Sequence, residues 1–287
     1  MDTKLRIGRI PYANLFPLFY VLERELDSPS YEFVEGVPSV LNRMLRTGEV
    51  DLSPSSSVEY LRNPDRYFFI DNHSVSSKGA VGSIFLFSRK PLGELDGSGI
   101  AVTSQSETSV VLLEIILTKF HGIRCPLRLA ALPARSGEDA FLLIGDEALR
   151  YSAENRRRGG GPGGLLQYDL GEIWYERTGL PFVFALWIVR RQVRGEGDAG
   201  EKGELFARFV KDLDTAKKRA LERLPDIARH SPLWGFLSRE EILAYWKRLD
   251  YELDGEHRKG LALFDRYRRE LSPCPAAAGS DERACKP

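Results

Sequence analysis

The sequence predicts an α/β protein built as two lobes joined by a hinge. Three observations predict it. Short β-prone runs alternate with helical patterns through the first 190 residues, a rhythm that argues for sheets with helices on their faces. Polar turns follow the strands and lead into helix starts, which is where ligands bind in open α/β sheets. The 287 residues are 43% hydrophobic, enough to build two cores of ordinary size.

The bulk charges narrow the partners. Lys+Arg and Asp+Glu both number 41, so the formal net charge is zero. No nucleic-acid or membrane-surface partner is expected from that balance. The 3 cysteines, Cys125, Cys274 and Cys285, have no metal-ligand spacing. A reducing compartment without a disulfide framework is expected. Met1-Asp2-Thr3-Lys4 runs straight into a strand with no signal-like apolar segment, so the expected location is the cytoplasm. Oligomeric state is not legible in the sequence.

The elements follow in order. Residues 5–10 form a strand that Pro11 stops, because proline has no N–H for a ladder. Asn14 stands at the cap position of a helix carrying Leu15, Leu18, Phe19 and Leu22. A strand at 31–37 leads to a helix at 38–46, opened by Pro38 in its first turn and ended by Gly48. A third strand, 49–53, runs into Pro54-Ser55-Ser56-Ser57 and a short helix at 58–61. Residues 68–70 and 82–88 are further strands, and the polar stretch 91–97 marks the crossing into the second lobe. That lobe opens with a strand at 100–103, the polar run 104–108 and an amphipathic helix at 109–120. Strands at 127–131 and 140–144 follow, the latter ending in Gly145-Asp146-Glu147. Residues 154–164, rich in arginine and glycine, read as a mobile surface insertion. A helix at 168–178 and an apolar strand at 181–189 return the chain to the first lobe. Helices are expected at 204–223, 225–235, 239–248 and 256–270, with a disordered Ala/Pro/Ser-rich tail from 273. The resulting domains are 1–89 plus 189–272 for the first lobe, 90–188 for the inserted second lobe, and 273–287 for the tail.

Four polar corners carry the functional expectation: Tyr12-Ala13-Asn14, Ser55-Ser56-Ser57, Thr103-Ser104-Gln105-Ser106 with Thr108, and Gly145-Asp146. Hydroxyl and amide groups beside helix N-termini suit a small anion with more than one carboxylate, without needing lysine or arginine. Each corner also has an ordinary role as a cap or turn; their coincidence favours binding. Tyr12, Ser55, Ser56, Ser57, Ser83, Thr103, Ser104, Gln105, Ser106, Thr108 and Gly145 are the candidate substrate-binding residues. Asn14 and Asp146 are the candidate catalytic ones; Asp146 has an alternative role as the cap of a helix at 147–151. There is no nucleophile elbow, no Walker loop, no Gly-x-Gly-x-x-Gly and no metal-ligand cluster, so no cofactor and no metal is expected. His73 reads as a surface-loop histidine, and His121, His230 and His257 are scattered.

Together, Arg9-Ile-Pro-Tyr-Ala-Asn14, Glu35-Gly-Val-Pro-Ser39, Leu52-Ser-Pro-Ser-Ser-Ser57, Thr103-Ser-Gln-Ser106, Leu143-Ile-Gly-Asp-Glu147 and Tyr168-Asp-Leu-Gly-Glu-Ile-Trp174 resemble the chorismate dehydratases of menaquinone biosynthesis by the futalosine route. The resemblance runs motif by motif over residues 4–190 and in general layout beyond. It implies a type II periplasmic-binding-protein-like fold with extra C-terminal helices, used as a cytoplasmic carbon–oxygen lyase. The implied reaction removes water from chorismate, a dianion, to give 3-[(1-carboxyvinyl)oxy]benzoate. The sister enzyme of the pathway, which makes a dihydroxynaphthoate, carries a histidine where this chain reads Gly145-Asp146. Two alternatives stay open: that sister activity, and a non-catalytic cytoplasmic binder of a small carboxylate.

Overall fold

The computed structural model describes residues 3–26, 29–157, 164–193 and 200–271. The chain begins with β1 (Leu5–Arg9), α1 (Phe16–Glu25), β2 (Tyr31–Glu35), α2 (Pro38–Thr47), β3 (Leu52–Ser56), α3 (Ser57–Arg62) and β4 (Tyr67–Ser77). It continues through β5 (Ile84–Ser88), β6 (Ile100–Val102), α4 (Glu107–Ile115, prolonged by a π-helical turn, Ile116–Phe120), β7 (Leu127–Leu129) and β8 (Ala140–Ile144). Then come α5 (Gly145–Arg157), β9 (Leu166–Asp169), α6 (Leu170–Thr178) and β10 (Phe182–Arg190). The C-terminal part holds α7 (Glu201–Glu222), α8 (Leu224–Ile227), α9 (Arg239–Trp246), β11 (Leu249–Asp250) and α10 (Gly255–Glu270).

These strands form two sheets, in the orders β11-β4-β10-β3-β1-β2 and β7-β6-β8-β5-β9. The alternation of the sequence predicts parallel pairing, and β1–β2, β1–β3, β6–β7 and β6–β8 are parallel. Both sheets are nonetheless mixed, because the first strand after each connection between the sheets runs antiparallel to its neighbours: β10 to β3 and β4, and β5 to β8 and β9. By sheet membership, β5 belongs to the second lobe and all of β10 to the first. The segments that connect the two sheets are therefore 78–83 and 179–181.

Local chemistry explains most boundaries. Pro38 opens α2, and Gly48 closes it in the left-handed region (φ 81°), its amide on Met44 O. Asp169 caps α6 by accepting from Gly171 N and Glu172 N. Trp187 of β10 is fully buried between Phe19 of α1 and Phe209 of α7, ring centroids 5.8 Å apart in each case. This packing seats α1, and the turn before it, on the first sheet; emptying it by Trp187→Ala costs about 3–5 kcal/mol.

Several expectations need correction. The serine corner is not a loop: β3 runs through Pro54, Ser55 and Ser56. Its pairing with β1 is confined to Ile7–Leu52, so beyond that point it has a ladder on the β10 side alone, and Pro54 is tolerated there. The strand expected at 68–70 extends to Ser77, with register shifts against β10 and a positive φ (60°) at Asn72. His73 is consequently buried in β4, its Nε2 2.7 Å from Asp214 Oδ1, and is no surface-loop residue. Residues 166–169 are strand before α6 begins, and 154–157 complete α5. The all-helical C-terminal part is interrupted by β11, and the helix expected at 225–235 is the short α8 followed by a 3-10 turn. Residues 158–163, the tail from 273, Cys274 and Cys285 lie outside the described residues.

Candidate active site

The first-lobe wall is made where β1 and β3 end. After β1, Leu15 N bonds back to Tyr12 O at 3.2 Å, closing a turn over 12–15. α1 starts at Phe16 with Leu15 at its cap position and no side-chain cap. Asn14 therefore does not cap the helix, as the sequence had suggested. Its Oδ1 is buried and has no hydrogen-bond partner among the described residues. Ser55 Oγ at the end of β3 is in the same condition. Among the candidate residues of the first lobe, Asn14 Oδ1 and Ser55 Oγ are thus the buried polar atoms without a partner among the described residues.

Their neighbours are committed. Ser57 Oγ donates to Val183 O at 2.7 Å, which ties α3 to β10. Ser56 Oγ lies 2.5 Å from Thr108 Oγ1, and Thr108 Oγ1 also accepts from Val58 N at 3.1 Å. Thr108 belongs to the second lobe, so this pair is a polar contact between lobes.

On the second-lobe wall, Thr103 Oγ1 accepts from Gln105 N at 3.1 Å, shaping the turn after β6. Ser104 is exposed on that turn. Ser106 caps α4, accepting from Ser109 N. Gln105 reaches the other lobe, where Tyr12 donates its hydroxyl to Gln105 Oε1 at 2.5 Å. Gly145 starts α5 at φ 60°, a left-handed conformation; a Cβ there would meet the Tyr12 ring at 3.2 Å. Gly145 N bonds to Ser83 O at 2.8 Å, and Tyr245 donates to Ser83 Oγ at 3.1 Å. Asp146 lies inside the first turn of α5 and is not its cap. Its Oδ1 accepts from Ala13 N at 2.9 Å, a bond from the turn after β1.

Electrostatics follow from burial. Burial raises the Asp146 pKa, and the Ala13 N–H and nearby Arg150 oppose this only in part. Burial also raises Glu147. Tyr12 is pushed up to about 12 by burial and by Asp146 and Glu147, so its hydroxyl stays a donor. Burial thus disfavours the charged form of Asp146, while the Ala13 N–H and Arg150 favour it.

The sequence reading missed the support behind this wall. Trp246 Nε1 donates to Ala13 O at 2.8 Å, and Tyr251 donates to Asn14 O at 2.5 Å. Both act on backbone atoms, which leave no signature in a motif. Asp169 was also missed: it accepts from Val81 N (3.0 Å) and Gly82 N (2.6 Å), beside Ser83. A separate cavity of about 490 Å³ lies between α5, β9 and α9, with Arg156, Glu172, Glu241 and Arg248 on its wall. None of the candidate site residues lines it, and its wall carries both signs of charge. Among the described residues, no group of three or more His, Cys, Asp and Glu could hold a metal ion, and no helix is long and apolar enough to cross a membrane.

Residues 5–270 match the family model described as menaquinone biosynthesis. The chain belongs to this menaquinone-biosynthesis family. It is 33% identical over 267 residues to a chorismate dehydratase of Thermus thermophilus, covering 90% of this chain and 93% of that one. It is 29% identical over 257 residues to a 1,4-dihydroxy-6-naphtoate synthase of the same organism, covering 88% and 82%. Among solved structures, a protein of Archaeoglobus fulgidus matches with a TM-score of 0.74 at 18% identity, covering 93% of this chain and 97% of that one. The periplasmic aliphatic sulphonate-binding protein of Escherichia coli matches at 0.63 and 15%, covering 96% and 90%. At these identities the structural likeness bears on fold alone, and the fold is that of the periplasmic binding proteins. The role of this family member lies in menaquinone biosynthesis, as an enzyme acting on a small molecule.

Proposed function

We propose that the protein is a chorismate dehydratase, which removes water from chorismate to give 3-[(1-carboxyvinyl)oxy]benzoate. The observation that carries the reading is Asn14, a half-buried side chain whose buried Oδ1 has no partner among the described residues, close to hydroxyl groups and helix starts of both lobes. The free Oδ1 can accept from a substrate hydroxyl, while the amide Nδ2 of the same group can donate to a carboxylate without neutralising it. The greater identity and coverage of the chorismate dehydratase relative, against the naphthoate synthase, supports the choice within the family.

The chemistry asks for orientation more than force. The ring C–H beside the ether loses its proton, its electron pair becomes the new ring double bond, and the neighbouring C–OH bond breaks. The ring becomes aromatic, so much of the driving force lies in the substrate. The enzyme must align the departing groups and exclude competing rearrangements. In this reading the substrate's own enolpyruvyl carboxylate takes the proton, with Asn14 and Ser55 orienting that carboxylate and the ring. Asp146, in its neutral form, donates to the departing hydroxyl and recovers the proton afterwards, so water is the balanced product. Burial lifts the Asp146 pKa in the direction this requires.

The test is to incubate pure protein with chorismate and follow the aromatic product by absorbance and mass. Turnover without added cofactor is expected. Stoichiometric binding without turnover indicates a binder, and inertness toward chorismate with conversion of cyclic futalosine indicates the sister activity.

A further inference from the structure

Asn14 sits between two peptide planes, and a different aromatic residue pins each of them. The Ala13 carbonyl accepts from Trp246 Nε1 at 2.8 Å, and the Asn14 carbonyl accepts from the Tyr251 hydroxyl at 2.5 Å. Peptide units are rigid planes, so fixing the plane on each side of a Cα fixes its φ and ψ and hence the direction of its Cβ. Two flanking bonds add to the hold: Ala13 N to Asp146 Oδ1, and Leu15 N to Tyr12 O. Among the described residues, the side chain has no partner at Oδ1 that would orient it. Its aim is therefore set from the backbone.

The two donors are themselves held firmly. Trp246 is 1% exposed and stacks on Phe16, ring centroids 6.3 Å apart and planes 12° from parallel. Tyr251 is 2% exposed and directly follows β11, which pairs with β4 through Leu249–Ser77 and Asp250–Ser76. Ser74 N donates to Tyr251 O at 3.0 Å, Ser76 Oγ donates to Asp250 O at 2.9 Å, and Ser74 Oγ donates to Glu252 O. The polar face of β4 thus exists to strap this C-terminal segment to the first sheet.

We propose that Trp246 and Tyr251 are positioning residues of the reaction, which hold the Ala13–Asn14 turn so that the Asn14 side chain meets the substrate. The inference rests on the dehydratase reading and on the place of Asn14 in it. Tyr251→Phe keeps the ring and removes one hydroxyl, leaving the Asn14 carbonyl without its donor. Steady-state kinetics on chorismate should show kcat reduced about 10- to 100-fold with a smaller change in KM, the size expected when a positioned group shifts by about 1 Å. The decisive readout is the combination with Asn14→Ala. If Tyr251 acts through Asn14, the double variant is no slower than Asn14→Ala alone. Losses that multiply, or a Tyr251→Phe variant with wild-type kcat, overturn the proposal. Trp246→Phe, which keeps a ring on Phe16 but lacks the N–H, carries the same test if Tyr251→Phe does not fold. Hydrogen exchange gives an arm that needs no turnover. The Ala13 and Leu15 amides should exchange faster in Tyr251→Phe than in the wild type, and unchanged exchange overturns the proposal. Wild-type protein that leaves chorismate intact would sink the dehydratase reading instead, and the exchange arm would still decide the positioning.

Discussion

Ala13 N donates to Asp146 Oδ1 at 2.9 Å, joining the turn after the first strand of one lobe to the first helical turn of the other. Asp146 therefore has two separable roles, as an acceptor that ties the lobes and, in the proposed reaction, as a proton donor. Asp146→Asn keeps the acceptor and removes the titration; Asp146→Ala removes both. Burial raises the carboxyl pKa, so its contribution to stability is present below the unfolded value of about 3.9 and falls as pH rises through the raised folded value. Asp146→Asn should flatten that part of the Tm–pH profile. Asp146→Ala should cost roughly 1–3 kcal/mol in denaturant unfolding, because a buried N–H loses its partner. If neutral Asp146 supplies the proton, wild-type kcat declines as pH rises through the same value, and Asp146→Asn loses kcat. Full kcat in Asp146→Asn withdraws it from proton transfer.

Asn14→Ala separates a binding role from a capping one. An asparagine that caps a helix contributes about 0.5–2 kcal/mol. Here the cap position is Leu15, without a side-chain bond, and Asn14 Oδ1 is buried with no partner among the described residues. Removing that atom should leave Tm unchanged or slightly higher while kcat on chorismate falls by about 100-fold. A loss of stability of cap size, with activity retained, would return Asn14 to a structural role.

These two residues also mark how far the sequence could be read. Elements set by neighbours in the chain were legible: β1 stopped by Pro11, α2 opened by Pro38 and closed by Gly48, the buried run of β8. The parts that escaped reading depend on distant partners. Residues 71–77 look like a polar loop because their hydroxyls bond to Asp250 and Glu252, far along the chain. The strand character of Pro54-Ser55-Ser56 comes from its register with β10. The polar corners were visible, but their division into free and committed groups was not. Ser57 is occupied by Val183 O, and Ser56 by Thr108 of the other lobe. Local pattern locates a corner; the tertiary fold decides which of its groups remain for a ligand.

Gly145 and Tyr12 give a test of the contact between lobes. Gly145 has φ 60°, and a Cβ on it would meet the Tyr12 ring at 3.2 to 3.4 Å. Gly145→Ala should therefore cost about 1–2 kcal/mol for the left-handed backbone, and more if the ring cannot yield. Displacing the ring also breaks the hydrogen bond from Tyr12 to Gln105. Tyr12→Phe removes that bond without the backbone strain. It should raise KM for chorismate several-fold with a Tm shift smaller than that of Gly145→Ala. Equal Tm losses with no change in KM would show that the Tyr12–Gln105 contact plays no part in holding substrate.

His257 gives the structure a pH dependence away from the cleft. Its side chain is fully buried, with Nδ1 2.7 Å from Asp254 Oδ1 and Nε2 3.3 Å from Asp250 Oδ2. Lys78 Nζ approaches the same two carboxylates, at 3.8 Å and 3.6 Å respectively. Burial works against the imidazolium, but the two carboxylates outweigh it and raise the His257 pKa. Asp254 is lowered to about 2 by its bonds from His257. The sign follows from both shifts. The histidine contribution is complete below its unfolded pKa of about 6.5 and is lost as pH rises through the raised folded value. The Asp254 contribution is complete above about 3.9 and is lost as pH falls toward about 2. Between those limits β11 is held at both ends, by its pairing with β4 and by the ion pairs of His257. Wild-type Tm should therefore fall as pH rises above about 6.5. His257→Gln, which cannot carry the charge, should have a lower Tm at pH near 6 and a flatter profile above it. A wild-type profile that stays level across that range, or a His257→Gln profile with the wild-type slope, would show that the buried imidazole is neutral in the folded protein.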